Sequence, residues 1–492
     1  MSIDELYSLF LKHPLVTIDS RNCPPGSLFF ALKGERFDGH DFVEQALQSG
    51  SAYAIVDDVS RAYGKQVVIV DNVLSALQHL ARMHRQALGI PVIGITGTNG
   101  KTTTKELTAA VLSQKYNLLY TLGNLNNHIG VPLTLLRLTD QHEMAVIEMG
   151  ANHPGEIAEL AAVACPDYGL ITNVGYAHLE GFGSLEGVIK TKGELYDYLR
   201  MTHGTVFIHR DNEYLTAIAG GLRQVRYGAL NPAEEHGQVA NGVADMAERS
   251  NQMSTSATDL VGRWNTDKND TPSIAGRTTY LYPCLSFSWQ NNRQTIYTVN
   301  THLVGGYNLW NVLAAITIGV YFDVPNEMIN EAISQYKPTN NRSQLKKTQY
   351  NELIIDAYNA NPSSMRAALE NFAAHPTGLL RSATNDEMTL RDAGDNPDLT
   401  ADLPKAVILG DMLELGEKSD ELHKAIIQQI ETMNFEKVLL CGAHFPDAGK
   451  QYTCFPTVEQ LNEYLEANSL RGYAVLIKGS RAIHLEKTIE FL

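Results

Sequence analysis

One stretch combines glycines, hydroxyls and a lysine in the order that phosphate chemistry needs: GITGTNGKTTTKEL, Gly94 to Leu107. It follows an apolar run and opens a helical one. A nucleoside triphosphate needs backbone N–H groups aimed at its oxygens, a helix amino end and a cation. Gly97 and Gly100 let the backbone come close, Lys101 can reach the β/γ oxygens, and the Thr102 hydroxyl can ligate Mg²⁺. The spacing departs from the strict Walker form, because Gly94 lies one residue too far from Gly100. A capped glycine-rich turn is the plainer alternative, and the Lys-Thr pair after the second glycine favours phosphate. Glu148 closes the apolar run AVIEMG (Ala145 to Gly150). An acid at the carboxyl end of a parallel strand lies beside such a loop and can hold Mg²⁺ directly or through water.

The elements that must carry these groups follow from the apolar pattern. Short fully apolar runs alternate with helical stretches, which means parallel sheets covered on both faces. With 492 residues the chain exceeds the roughly 250 that one core can serve. We expect three α/β domains in series: residues 1–88, residues 89–336 and residues 337–492. The central one should be a P-loop ATPase domain on a parallel sheet, and the last a Rossmann-like unit. Two polar stretches interrupt the pattern, 231–278 and 376–403. The first should be a loosely ordered excursion and the second a long surface loop. LSFSW (Leu285 to Trp289) and Thr295 to Val299 read as a hairpin.

Composition narrows the partners. The formal charge of -16 argues against nucleic acid, since phosphate backbones demand a basic face. The five cysteines are scattered without a C-x-x-C pair, so neither zinc nor a disulfide framework is indicated. No apolar run reaches the roughly 18 residues of a membrane span, and the first residues, MSIDELYSLFLKH, lack a basic leader. A cytoplasmic location is expected.

Several further motifs join the loop into one pattern. They are TLGNLNNHIGVPLTLL (Thr121 to Leu136), NVGYAHLEGFGS (Asn173 to Ser184), KTKGEL (Lys190 to Leu195) and GGYNLWNVLAA (Gly305 to Ala315). DAYNANPSSM (Asp356 to Met365), GDMLELGE (Gly410 to Glu417), KGSR (Lys478 to Arg481) and DSRNCPPGSLFFALKGERFDGHDF (Asp19 to Phe42) complete it. Together they resemble the Mur ligases, cytoplasmic enzymes that build the peptide of bacterial peptidoglycan. The likeness covers nearly the whole chain apart from the two polar stretches, and the variant loop spacing is the family's own form.

The resemblance implies an ATP-dependent amide-bond ligase that works through an acyl phosphate. DAYNANP with GDMLELGE implies UDP-N-acetylmuramoyl-tripeptide and D-alanyl-D-alanine as its substrates; separately, a monomeric enzyme is expected. Carried over residue by residue, Gly97, Thr98, Asn99, Gly100, Lys101, Thr102 and Thr103 would bind the ATP phosphates. Thr102 and Glu148 would hold a first Mg²⁺, and His178 would lie near a second. Lys192 matches a lysine that some relatives carry as a carbamate, with Lys190 as its competitor. Asn308 and Asn311 fall where asparagines approach the adenine, while Tyr307 replaces a common histidine. Arg342 matches an arginine reaching the γ-phosphate, and Asp356 a ribose contact. Asn126, Asn127, Asn359 and Asn361 would face substrate, and Ser20 and Arg21 the uridine nucleotide. Lys101, His178, Lys192 and Arg342 form the expected catalytic set. Two rivals stand beside this reading. A folate polyglutamylating ligase should lack the Asp19 to Phe42 domain, and an ATP-regulated binding protein would leave Lys192 and DAYNANP without a task.

Overall fold

The computed structural model describes residues 1–34, 37–61, 64–230, 273–280, 284–291, 295–339, 342–374 and 403–492. They form three α/β layers, each with its own sheet. The first sheet has four parallel strands: Val16–Thr17, Leu28–Phe30, Tyr53–Val56 and Val67–Ile69. Helix Val73–Leu88 follows, capped by the Asn72 side chain, which accepts from the Ser75 amide at 2.8 Å. It ends at Gly89, whose φ of 64° is the left-handed turn glycine tolerates.

That helix serves two sheets. Leu77, Leu80 and Ala81 are buried in a core shared with Leu6 and Phe10 on one side and Leu135 and Ile157 on the other. Arg85 also donates to the carbonyls of Ala164 and Cys165, both at 3.1 Å, and pairs with Asp167 at 2.7 Å. Residue 88 is therefore the end of a helix mounted on both layers.

The central sheet has nine described strands. In spatial order they run Leu118–Tyr120, Met144–Glu148, Val92–Thr96, Tyr168–Ile171, Thr205–His209, Arg223–Ala229, Ser273–Tyr280, Ser286–Gln290 and Ile296–Asn300. The first seven are parallel, and the last two add an antiparallel edge that is the expected hairpin. The polar excursion is shorter than its composition suggests. Ser273 to Thr278 belong to a strand parallel to Arg223–Ala229, with Ile274 and Ala275 buried. Three consecutive buried residues, Ile274, Ala275 and Gly276, cover both faces of a strand whose other half is polar. The rest of 231–278 lies outside the described residues, as does 376–402 of the second polar stretch.

Met144–Glu148, Val92–Thr96 and Thr205–His209 are buried along their whole length, as strands covered on both faces must be. The third sheet places Gln344–Lys347 antiparallel at one edge. Glu352–Asp356, Ala474–Lys478, Lys405–Gly410, Lys437–Cys441 and Thr453–Phe455 then run parallel. Carboxyl ends of its strands face the same cleft as the phosphate loop.

Candidate active site

Strand Val92–Thr96 ends in the loop and helix Lys101–Leu112 begins it anew, so the loop must turn tightly between them. Two of its glycines are required by space. At Gly97, with φ 141°, a Cβ would stand 2.0 Å from Thr172 Oγ1; at Gly100, with φ 79°, one would stand 2.4 Å from Asn311 Oδ1. The neighbouring strand end holds the loop in shape. Amides of Thr98 and Asn99 donate to the Asn173 backbone and side-chain oxygens at 2.9 and 3.0 Å. Asn173 Nδ2 and Thr172 Oγ1 both donate to the Asn99 carbonyl, at 2.9 and 2.6 Å. Those two loop amides point into the protein, which leaves the helix start, Gly100 to Thr103, as the open donor end.

Lys101 folds over this loop, its Nζ donating to the carbonyls of Gly97 and Thr98 at 2.7 and 3.2 Å. Burial lowers its pKa from 10.5 to about 8. Thr102 Oγ1 donates to Glu148 Oε1 at 3.1 Å, and Asn126 Nδ2 donates to the same oxygen at 2.9 Å. Glu148 is 1% exposed, and its Oε2 is buried with no hydrogen-bond partner among the described residues. A buried carboxyl oxygen left without a donor is a place for a cation. The set of one carboxylate and one hydroxyl, open toward phosphate and water, fits Mg²⁺, which seldom takes an all-protein cage. Among the described residues no three His, Cys, Asp or Glu gather as such a cage.

A cleft of about 570 Å³ joins this centre to the third layer. Asn308 and Asn311 line it beside the loop, linked by a 2.9 Å bond from Asn311 Nδ2 to Asn308 Oδ1. Asn311 Oδ1 also accepts from Thr104 at 3.1 Å, so this asparagine braces the phosphate-loop helix. Tyr307 lines the cleft too, its hydroxyl 2.8 Å from Ser343 Oγ. From the third layer come Arg342, Asp356 and Asn359. Asp356 pairs with Lys478 at 2.5 Å, and Lys478 Nζ also donates to the Asn359 carbonyl at 3.3 Å. Arg342 stacks on Tyr358, with Cζ 3.8 Å from the ring centroid.

Asn361 and Asn99 exchange amide hydrogen bonds of 2.7 and 3.5 Å, tying the phosphate loop to the third layer. His178 pairs through Nδ1 with Glu414 of the third layer, and this hydrogen bond is the main reason Glu414 sits below the usual carboxylate range. Both residues adopt left-handed backbone, at φ 50° and 63°.

Of the two competing lysines, Lys190 is exposed and Lys192 is buried. Lys192 Nζ donates to the Ala151 carbonyl at 3.3 Å. Burial first, then the charge of Lys101, lowers its pKa to about 7. Asn127 lines the cleft, yet its Oδ1 accepts from the Ile129 and Gly130 amides at 3.2 and 2.8 Å, as a turn residue would. Ser20 and Arg21 stand apart in the first layer. Ser20 is buried near Gln45 Oε1 at 3.5 Å, and Arg21 is exposed and paired with Asp19 at 2.8 Å.

Residues with no assigned role in the sequence reading also belong here: Asn173, Tyr358, Glu414 and Lys478. Each lies inside a quoted motif. What could have singled out Lys478 is a charged residue ending an otherwise apolar strand, where Asp356 ends the neighbouring one.

A phosphate loop in the middle of three α/β layers, with an arginine from the third layer in its cleft, defines a nucleotide-dependent enzyme of the multidomain P-loop class. The match to known families is direct. The Mur ligase middle domain fits residues 95–319, and the domain described as Mur ligase family, catalytic domain fits residues 14–95. The chain is 33% identical to the UDP-N-acetylmuramoyl-tripeptide--D-alanyl-D-alanine ligase of Bacillus subtilis (strain 168), over 97% of this chain and 92% of that one. MurF from Acinetobacter baumannii superposes with a TM-score of 0.75 at 26% identity, covering 96% of this chain and 92% of that chain. MurF ligase from Thermotoga maritima, solved in complex with ADP, has the same fold at a TM-score of 0.74 and 23% identity, covering 98% and 97%. The chain belongs to the Mur ligase family.

Proposed function

We propose that this chain joins D-alanyl-D-alanine to UDP-N-acetylmuramoyl-tripeptide using ATP, in the cytoplasm and as a monomer. Residues 1–88 receive the uridine nucleotide, 89–336 the ATP and 337–492 the dipeptide. Similarity to the Bacillus subtilis ligase across nearly both whole chains supports the substrate pair. The observation that carries the chemistry is the convergence of Lys101, Thr102, Glu148 and Arg342 on one cleft built by a single chain.

A carboxylate resists nucleophiles because of its charge and resonance. One oxygen of the tripeptide's terminal carboxylate attacks the γ-phosphorus of ATP; ADP leaves and an acyl phosphate forms. Lys101, the open amides at the helix start and Arg342 offset the charge spread over the transferring oxygens. Thr102 and Glu148 would hold Mg²⁺, which when bound would neutralise the phosphate oxygens. The dipeptide amine then adds to the acyl carbon, and the tetrahedral intermediate expels inorganic phosphate. With Glu414 on Nδ1, His178 keeps one ring nitrogen for the cleft, to serve a second Mg²⁺ or the amine's proton.

Lys192 fits the carbamate reading, because a neutral amine is the form that adds CO₂ and its pKa near 7 keeps much of it neutral. The carbamate would turn the side chain into an anionic oxygen donor, the kind Mg²⁺ takes. Product formation and phosphate release from ATP and Mg²⁺ should require both substrates together. Equal phosphate release without the dipeptide would refute the ligase reading, and ATP binding with no phosphate release under any combination would favour a nucleotide-regulated binder.

A further inference from the structure

Tyr358 carries two arginines. Arg342 Cζ lies 3.8 Å from its ring centroid and Arg481 Cζ 5.2 Å from it, and Arg481 Nη1 donates to the Tyr358 hydroxyl at 3.4 Å. Among the described residues neither guanidinium has a carboxylate within ion-pairing distance, although the chain carries a net charge of -16. Arg342 Nε is buried with no hydrogen-bond partner. The other cations near this cleft are accounted for: Lys478 by Asp356, and Lys101 by two loop carbonyls. Two guanidinium groups on one ring repel each other, and stacking on the aromatic face offsets only part of that. The arrangement is completed by anions.

The deeper arginine has one in the transferring phosphoryl group. Arg481 is exposed and begins the turn after strand Ala474–Lys478, so it meets a ligand arriving from solvent. We infer that Arg481, steadied by Tyr358, binds the free carboxylate of the amine-bearing substrate. This assignment rests on the proposed ligase reaction. There the dipeptide's amine must reach the acyl carbon, and its carboxylate lies two residues away, at most about 7 Å along the chain. An inward amine thus leaves the carboxylate near the rim of the cleft. A planar guanidinium fork matches a carboxylate through two parallel hydrogen bonds, which an ammonium cannot do.

The test compares D-alanyl-D-alanine with its carboxy-terminal amide in the wild type, Arg481→Ala and Arg481→Lys. Loss of one charge-assisted pair should raise KM for the dipeptide about ten- to a hundredfold in Arg481→Ala. KM for ATP and for the nucleotide-linked tripeptide should stay within about twofold, and Arg481→Lys should recover part of the loss. The amide should give the same KM in wild type and Arg481→Ala. Equal losses for dipeptide and amide, an unchanged dipeptide KM, or a rise confined to ATP or the nucleotide-linked tripeptide overturns the assignment while leaving the ligase reading intact. A wild type that forms no product with the dipeptide removes both.

Discussion

Half-buried Lys101 and buried Lys192 both have pKa values lowered first by desolvation, but the two settings do different things. Lys101 is held by the carbonyls of its own loop, which keeps its charge beside the proposed phosphate site. Lys101→Ala should lower kcat by at least about 10²-fold, the range seen when one preorganised charge-stabilising donor is lost; steady-state turnover checks it. Lys192 has its first cause in desolvation and its second in the charge of Lys101. Under ¹³C-labelled CO₂, the wild type and Lys190→Met should show a carbamate carbon resonance that Lys192→Met lacks. A signal lost with Lys190 instead would move the modification to the exposed residue.

The same burial has a pH signature. An unfolded lysine keeps its proton up to 10.5, whereas folded Lys192 gives it up near 7. Between those values the unfolded chain binds more protons, so stability rises with pH. In CO₂-free buffer, wild type should gain stability relative to Lys192→Met as pH is raised from 7 toward 10, measured by denaturant unfolding. A pH-independent difference would mean that the amine is solvated.

At the scale of elements, the site depends on joints. Gly97 is one: the Cβ of Gly97→Ala would press on Thr172 Oγ1 in the strand end that shapes the loop. The variant should lose about 1–3 kcal/mol of stability, read by thermal unfolding, and bind ATP more weakly. Such joints were legible in the chain because glycine and lysine punctuate apolar runs at fixed offsets, and strand ends could be placed beside the loop on that basis. The apolar pattern likewise exposed the hairpin after residue 284. It misjudged Ser273 to Thr278, where a strand end buries only Ile274, Ala275 and Gly276 before the chain turns polar. Pairings between distant elements were not legible at all. Asp356 and Lys478 are 122 positions apart, and nothing local to either indicates that the other neutralises it. Asn127 shows the opposite limit, since a motif position that lines the cleft spends its side-chain oxygen on the turn that follows it.

For the whole molecule, the active cleft exists only where the third layer meets the second. Asn99 with Asn361, and His178 with Glu414, hold that meeting, and Arg342 enters through it. A reactive acyl phosphate needs water kept out, which such closure provides. Arg342→Ala should therefore cut kcat by about 10²-fold or more, with KM for the nucleotide-linked tripeptide little changed; near-normal turnover would detach the third layer from phosphoryl transfer.

In the proposed route a peptide carboxylate takes the γ-phosphoryl group before the amide forms. This route is tested by labelling the tripeptide's terminal carboxylate with ¹⁸O and following the label through turnover. One ¹⁸O per product should appear in the inorganic phosphate released. Phosphate without the label, formed alongside normal amide product, would contradict the acyl-phosphate route.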